Sequence, residues 1–324
     1  MATREISTRT YQYSHTIGID EFVGRGFRLI VDVAPGPDGV LYVLQRGEPL
    51  HRNVAIKICD VNEGWHGDFG EYGSERGQLV WPAAIVIDSQ QRLYVSDEWN
   101  HRITVFDTKG HVLDEWGKVG SGDGQLNRPS GLAFDAEENL LVVDTLNHRI
   151  QKFTGAGRFL TKWGTYGAGL GQLNMPWGVA ANTAGEVYIT DWRNDRVQKF
   201  TAEGEFLRQW GSSGKGDSEF NRPAGIAVDR DGDVYVDDWH NSRIQIFDSE
   251  GQFVTKLTGD ATLSAWGKEL LAVHPEMQEQ RRIAKDLNQE KWFRLPRGVK
   301  VDDQDRVIVV DSTRGRLQVY QKIT

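Results

Sequence analysis

The sequence predicts an all-β chain, a six-bladed β-propeller of four-stranded antiparallel blades. Three observations carry that prediction. Pro82, Pro129, Pro176 and Pro223 recur every 47 residues. Asp97, Asp144, Asp191 and Asp238 keep the same period, as do Arg102, Arg149, Arg196 and Arg243. Each period also contains four short runs rich in β-branched and aromatic residues, separated by Gly, Asp or Asn, which is the signature of strands joined by tight turns. Four antiparallel strands repeated around an axis make a propeller blade.

The best-defined period runs from Arg128 to Gly164 and divides into SGLAFD, NLLVVD, RIQKFT and RFLTKWG. A fifth copy carries Pro296, Asp311 and Arg316, each 73 residues beyond its predecessor, so it follows a 26-residue insertion. A first blade is more degenerate. Phe27 to Gln45 aligns with Phe220 to Asp238, with Ile30 at the proline position and Gln45 at the aspartate position. The last blade lacks a fourth strand after RLQVYQK, and YQYSHTIG (Tyr11 to Gly18) has the pattern of EFLRQWG. The N-terminal strand is therefore expected to close the last blade and remove the open sheet edges. A single domain over residues 11–324 follows, with a helical insertion over 260–292 between blades five and six.

The stretches DTLNHRIQKF, DEWNHRITVF and DWHNSRIQIF resemble the Asn-His-Leu (NHL) repeat. The resemblance covers nearly all of residues 11–324 and implies the propeller fold. Its functional implications are broad: protein- and RNA-binding domains of tripartite-motif proteins, zinc-dependent peptidyl-hydroxyglycine amidating lyases, and bacterial propellers of no known role. The lyases hold zinc through histidines in the slot after the blade proline. Here the slots hold Ala83, Ser130, Trp177, Ala224 and Arg297, with Val31 in blade one. The resemblance to those lyases is thus distant and without their zinc histidines. Gluconolactonase-like propellers hold a divalent metal through axial acids and amides; here Asp32 is the one acid near the start of an inner strand. No cofactor or metal site is predicted. A bound divalent metal stays open as an alternative, with His51, His240, His274 and Asp32 as its ligands.

Composition narrows the function further. The chain has 324 residues and a net charge of −8, with a pI of about 5.6. An acidic chain is a poor general match for nucleic acid. Cys59 is the single cysteine, so no intramolecular disulfide or cysteine zinc cluster can form. No run approaches the roughly 18 apolar residues of a membrane span, and MATREISTRT has no signal-peptide core. A cytoplasmic protein without membrane partners is expected.

The repeated residues are read as frame. Asp and Arg, five apart, are expected to pair in a bidentate bridge across the loop from strand two to strand three. Trp116, Trp163 and Trp210 are expected to pack between blades, and His101 and His148 to serve the repeat rather than a ligand. Function is expected where the blades differ. Antiparallel alternation puts the strand-two-to-three loops and the links between blades on one face, here called the top. That rim gathers Trp81, Trp99, Trp177, Trp192 and Trp239 with Arg28, Arg46, Arg128, Arg193, Arg222, Arg294 and Arg297, alongside Glu98, Asp123 and Asp217. Trp and Arg are the residue types that carry binding energy at recognition surfaces.

The insertion carries Leu263, Trp266, Leu270 and Leu271 at helical spacing, and Pro275 opens a second helical stretch. On the top face, two such helices would form a lid over the central opening, with His274 at their junction. The expected function is recognition of a small molecule or peptide, with a protein partner as a further candidate, through Trp99, Trp177, Trp192, Trp239, Arg46, Arg193, Arg297 and His240. The alternative is a lyase or hydrolase acting under the lid, with His240, Arg193, Arg297, Glu98 and His274 as catalytic candidates.

Overall fold

The computed structural model describes residues 9–20, 25–47 and 53–323. Six four-stranded antiparallel sheets form the blades. Blade one comprises Ile30–Pro35, Val40–Gln45, Ala55–Asp60 and Trp65–Phe69. Blades two to five begin at Pro82, Pro129, Val179 and Pro223, and each ends on an outer strand closing at Trp116, Trp163, Trp210 or Leu257. Blade six takes Gly298–Val301, Arg306–Asp311 and Arg316–Ile323, and its outer strand is the N-terminal Thr10–Ile17. Tyr11 pairs with Lys322 and Ile17 with Leu317, as the sequence predicts. In blade one Ile30 pairs with Gln45, in the place of the Pro–Asp pairs of blades two, three and five.

The core is six separate apolar clusters, one between each pair of neighbouring blades. This follows from the two-residue alternation of a strand. Leu140 and Val142 pack towards blade two, whereas Leu141 and Val143 pack towards blade four. Near the axis the inner strands almost touch. A Cβ on Gly178 would lie 2.3 Å from the Ala224 carbonyl oxygen, so only glycine fits there.

The Asp–Arg pair is a hub and not a bidentate bridge. Arg149 Nε donates to Asp144 Oδ2 at 2.7 Å. Its remaining nitrogens donate to the carbonyls of Ser121, Gly122 and Gln125 in the link from the previous blade. Asp144 Oδ1 accepts from the Asn127 amide at 2.6 Å. Arg196 with Asp191, and Arg243 with Asp238, repeat the arrangement. Blade two departs from it: Arg102 pairs with Glu115 and donates to Ser74, Glu75 and Gln78 carbonyls.

The histidine position is a second inter-blade link. His101, His148, Asp195 and Ser242 all have positive φ and accept from the backbone amide of Arg128, Met175, Arg222 and Leu295 in the next blade. Three chemically different side chains do one job, which is to satisfy a buried N–H. His101 and His148 are therefore frame.

The insertion forms two helices, Ala265–Val273 and Pro275–Ile283. They do not form the expected lid over the axis. The first helix docks at the seam between blades six and one. In blades two to four the closing tryptophan packs on a turn glycine of the next blade: Trp116 on Gly157, Trp163 on Gly204, Trp210 on Gly251. Blade six ends instead on Ile17. Trp266, 2% exposed, packs in the same inter-blade cluster, edge-on to Phe27 and Trp65. Its Nε1 donates to the Glu63 carbonyl at 2.8 Å, and the Glu63 carboxylate accepts from the Ala265 amide at the helix N-terminus. At the seam on the other side of blade six, Lys322 reaches Asp229, Asp231 and Asp233 of blade five at 2.6, 2.7 and 3.0 Å.

Two predictions follow from these seams. Trp266→Ala is expected to cost about 3–5 kcal/mol in urea unfolding. Trp292→Ala, at a site 54% exposed, is expected to stay within about 0.5 kcal/mol. Burial holds the His101 and His148 imidazoles below the ordinary histidine range, and the acceptor role needs them neutral. Their folded pKa lies below the unfolded value of about 6.5, so this stability is complete above that value. It is lost as pH falls through 6.5 towards the folded pKa. A His101→Asp/His148→Asp variant keeps the acceptor, and its urea midpoint is expected to fall less between pH 7.5 and 5.5 than that of the parent.

Candidate functional site

The top-face residues come together in two adjoining groups. The first is a run of aromatic rings from blades four and five. Trp177 at the start of blade four's inner strand lies 6.3 Å from Trp192, and Trp192 lies 6.3 Å from Trp239, with interplanar angles of 34° and 30°. The two loop tryptophans each follow the Asp of the Asp–Arg hub, so the frame fixes where they project. Trp177, Trp192, Trp239, Ala224 and Arg297 line one trough. Arg222 and Arg193 sit over Trp192 at 4.6 and 5.1 Å, and Arg297 over Trp239 at 5.3 Å. His240 is exposed and lies against Trp239 at 4.2 Å. Burial and the Arg222 charge hold its pKa below the ordinary range, so the neutral imidazole dominates at neutral pH.

The second group belongs to blades one and two. Trp81 and Trp99 meet edge to face at 5.5 Å, with Trp99 53% exposed on the rim. Arg46 lies over Trp81 at 4.8 Å and bonds to the buried Glu98 at 2.9 Å. A cavity of about 420 Å³ joins the two groups, lined by Arg46, Trp81, Trp239, Leu295, Arg297 and Thr313 among others. Arg297 and Trp239 line both the cavity and the trough.

Arg297 is the unusual member. No carboxylate forms an ion pair with it among the described residues. Its pKa is lowered by burial and by the Arg46 charge, against the weaker pull of Glu98 and Asp237. Asp237, which the repeat does not single out, lies in the layer below. Both its carboxyl oxygens are buried, beside the Gly225 amide and without a side-chain partner. Burial, with neighbouring Asp238, raises its pKa well above the usual carboxylate range. Ser96 and Thr190 occupy the equivalent strand position, and each donates to the carbonyl of the residue after the next blade's proline. Both also accept from their own blade's inner strand, at the Ala84 and Gly178 amides, and in the same register Asp237 stands at the Gly225 amide. The legible signal was the doubled Asp237-Asp238, where other blades have Ser, Val or Thr before the hub aspartate.

Other expected members lie elsewhere. His274 sits at the junction of the two helices, bonded to Glu276 at 2.9 Å, and lines neither axial pocket. Its candidacy depended on a lid over the axis, and the helices instead occupy the seam. Asp32 is buried in the axial channel, 3.2 Å from Lys300 and accepting from the Ile85 amide. His51 lies outside the described residues. Among the described residues, no three His, Cys, Asp or Glu side chains converge as a metal site would require.

The NHL repeat family model matches five segments, residues 79–106, 126–153, 173–200, 220–247 and 293–320. These are blades two to six. This is an NHL-repeat β-propeller. Two curated proteins share a 46-residue stretch with it: Protein brain tumor of Drosophila melanogaster, 39% identical, and B-box type zinc finger protein ncl-1 of Caenorhabditis elegans, 41% identical. Each stretch is 14% of this chain but only 4% and 5% of those proteins. Among solved structures, a Bacteroides thetaiotaomicron protein of unknown function superimposes with a TM-score of 0.67 at 17% identity, covering 97% of this chain and 76% of its own. A streptogramin B lyase gives 0.59 at 10% identity, covering 99% and 100%. Virginiamycin B lyase from Staphylococcus aureus gives 0.58 at 12%, covering 97% and 100%. At these identities the likeness is one of fold. Among the described residues, no helix of the NHL propeller is long and apolar enough to cross a membrane.

A partly buried, unpaired guanidinium contributes little to folding, because its desolvation offsets its contacts. Arg297→Met is expected to leave the urea midpoint unchanged or higher. A loss above about 1 kcal/mol would show that Arg297 holds the frame rather than serving the site.

Proposed function

We propose that the NHL propeller is a recognition module whose top face binds a small molecule or peptide through an aromatic or planar group. The trough of Trp177, Trp192 and Trp239, set beside Arg297, carries this reading. Three indoles from two blades line one concavity, although the frame needs none of them there: the equivalent positions hold Ala83, Ser130, Thr145 and Ser312 elsewhere. Large rings of this kind offer apolar area at low entropic cost. Trp99 and Arg46 extend the surface towards blade two, and Arg193 and His240 form its outer edge.

A lyase reading has one specific observation behind it. The neutral His240 imidazole stands against Trp239 beside the trough, where it can accept a proton. Propellers of the same shape include streptogramin B lyase, and a structure of virginiamycin B lyase with quinupristin uses a catalytically inactive His-to-Ala variant. On that reading His240 is the base, and Arg193, Arg297 or Glu98 assists it.

The binding reading is tested with N-acetylphenylalanine amide, followed by tryptophan fluorescence. Saturable quenching is expected in the parent, with at least a tenfold weaker affinity in Trp192→Ala and no change in Trp292→Ala. Equal affinity in all three proteins would place the binding outside the trough.

A further inference from the structure

The point where trough, cavity and axial channel meet is a single residue, since Arg297 lines all three. The charges around it do not balance. Arg46 is already bonded to Glu98 at 2.9 Å. Asp237 lies in the layer beneath but forms no ion pair with Arg297, and its burial disfavours ionisation. Asp32, the other acid of the axial channel, is taken by Lys300. One guanidinium is therefore left over in a partly desolvated space walled by Trp81, Trp239 and Leu295. A cation in such a place is costly unless an anion joins it. The surrounding donors suit the same partner. A guanidinium presents several N–H groups in a fixed plane that matches an oxyanion, and Ser312 and Thr313 add hydroxyls to the cavity wall.

We propose that Arg297 is an anion-recognition residue, and that the ligand of this face carries one negative charge, a carboxylate, next to the planar group held by the tryptophans. The inference rests on the aromatic trough being a binding site and goes beyond it by naming the class of ligand: an aromatic or acyl acid, or a peptide ending in a free carboxylate. A singly charged group fits because, of the two guanidiniums lining the cavity, Arg46 is paired with Glu98 and Arg297 alone has no ion pair among the described residues. A phosphate dianion would leave one negative charge in the same apolar surroundings. Arg46 assists from across the cavity without being free itself, because Glu98 holds it.

The test compares three probes that share a phenyl ring: N-acetylphenylalanine, its amide, and phenyl phosphate. In the parent protein, N-acetylphenylalanine is expected to bind at least tenfold tighter than the amide and tighter than phenyl phosphate. Arg297→Met is expected to bring the carboxylate-to-amide ratio to about one. Arg297→Lys, which keeps the charge but loses the planar fork, is expected to retain a preference of reduced size, and guards against a misfolded Met variant. The outcomes separate cleanly. If the amide binds and the carboxylate gains nothing in the parent, the anion site is wrong while the trough survives. A preference that persists in Arg297→Met puts the anion elsewhere and overturns the assignment. Phenyl phosphate binding tightest would overturn the single-charge argument. If no probe quenches the tryptophans, the trough reading fails, and the carboxylate inference fails with it.

Discussion

Everything on the top face hangs from the buried aspartate at the end of each second strand. A carboxylate with no exposure is tolerable only when its oxygens are filled, and here they are filled from two directions. In blades three to six one oxygen takes the Arg five residues on, and the other takes a backbone amide 17 residues back, at the entrance to the same blade. Because the Arg also holds the link from the previous blade, each hub joins an inner strand, a loop and the neighbouring blade in one network. Blade one shows that the function of the hub matters more than its charge. Gln45 accepts from the Arg28 amide at 2.9 Å and donates to the Asn53 carbonyl at 2.6 Å, so a neutral side chain fills the same post.

A frame of this kind frees the residues next to it. Glu98, Thr145, Trp192, Trp239 and Ser312 all follow a hub residue directly, and they range from an acid through hydroxyls to indoles. Their backbone is held by the hub, so side chains can change without disturbing the ring. The aromatic trough arises because two of these permissive positions, in adjacent blades, carry tryptophan, and the slot after the proline of blade four adds Trp177. The cations arise in the same way, from positions before and after the inner-strand start.

How much was legible follows from what repeats. Four blades share a strict spacing, and a shared spacing carries strand order, register and face together. Even blade one could be aligned through Ile30 and Gln45. The face of the insertion follows from strand parity, but its radial position does not, and parity alone put the helices over the axis. Their actual place was foreshadowed by a vacancy: blade six closes on Ile17 where three other blades close on tryptophan, and Trp266 supplies the missing ring. Asp237 is hard to read for a related reason. Its neighbour Asp238 is a hub residue, and a second acid beside it reads as loop polarity until burial is known. The pairing of Arg46 with Glu98, and the solitude of Arg297, depend on distances across the ring that no spacing along the chain encodes.

The closure of the ring also fixes how it responds to tension. Thr10 pairs with Ile323, so the two ends of the described chain leave the same edge of blade six side by side. A pull applied through them meets the outer hydrogen bonds one at a time, as in opening a zipper, and not all at once in shear. The first elements to resist are the ionic contacts of Arg9 and Lys322 with Asp233. Beyond them the resistance is the strand itself. Tethered by its ends, this propeller would open within blade six while the trough, on blades four and five, stayed whole.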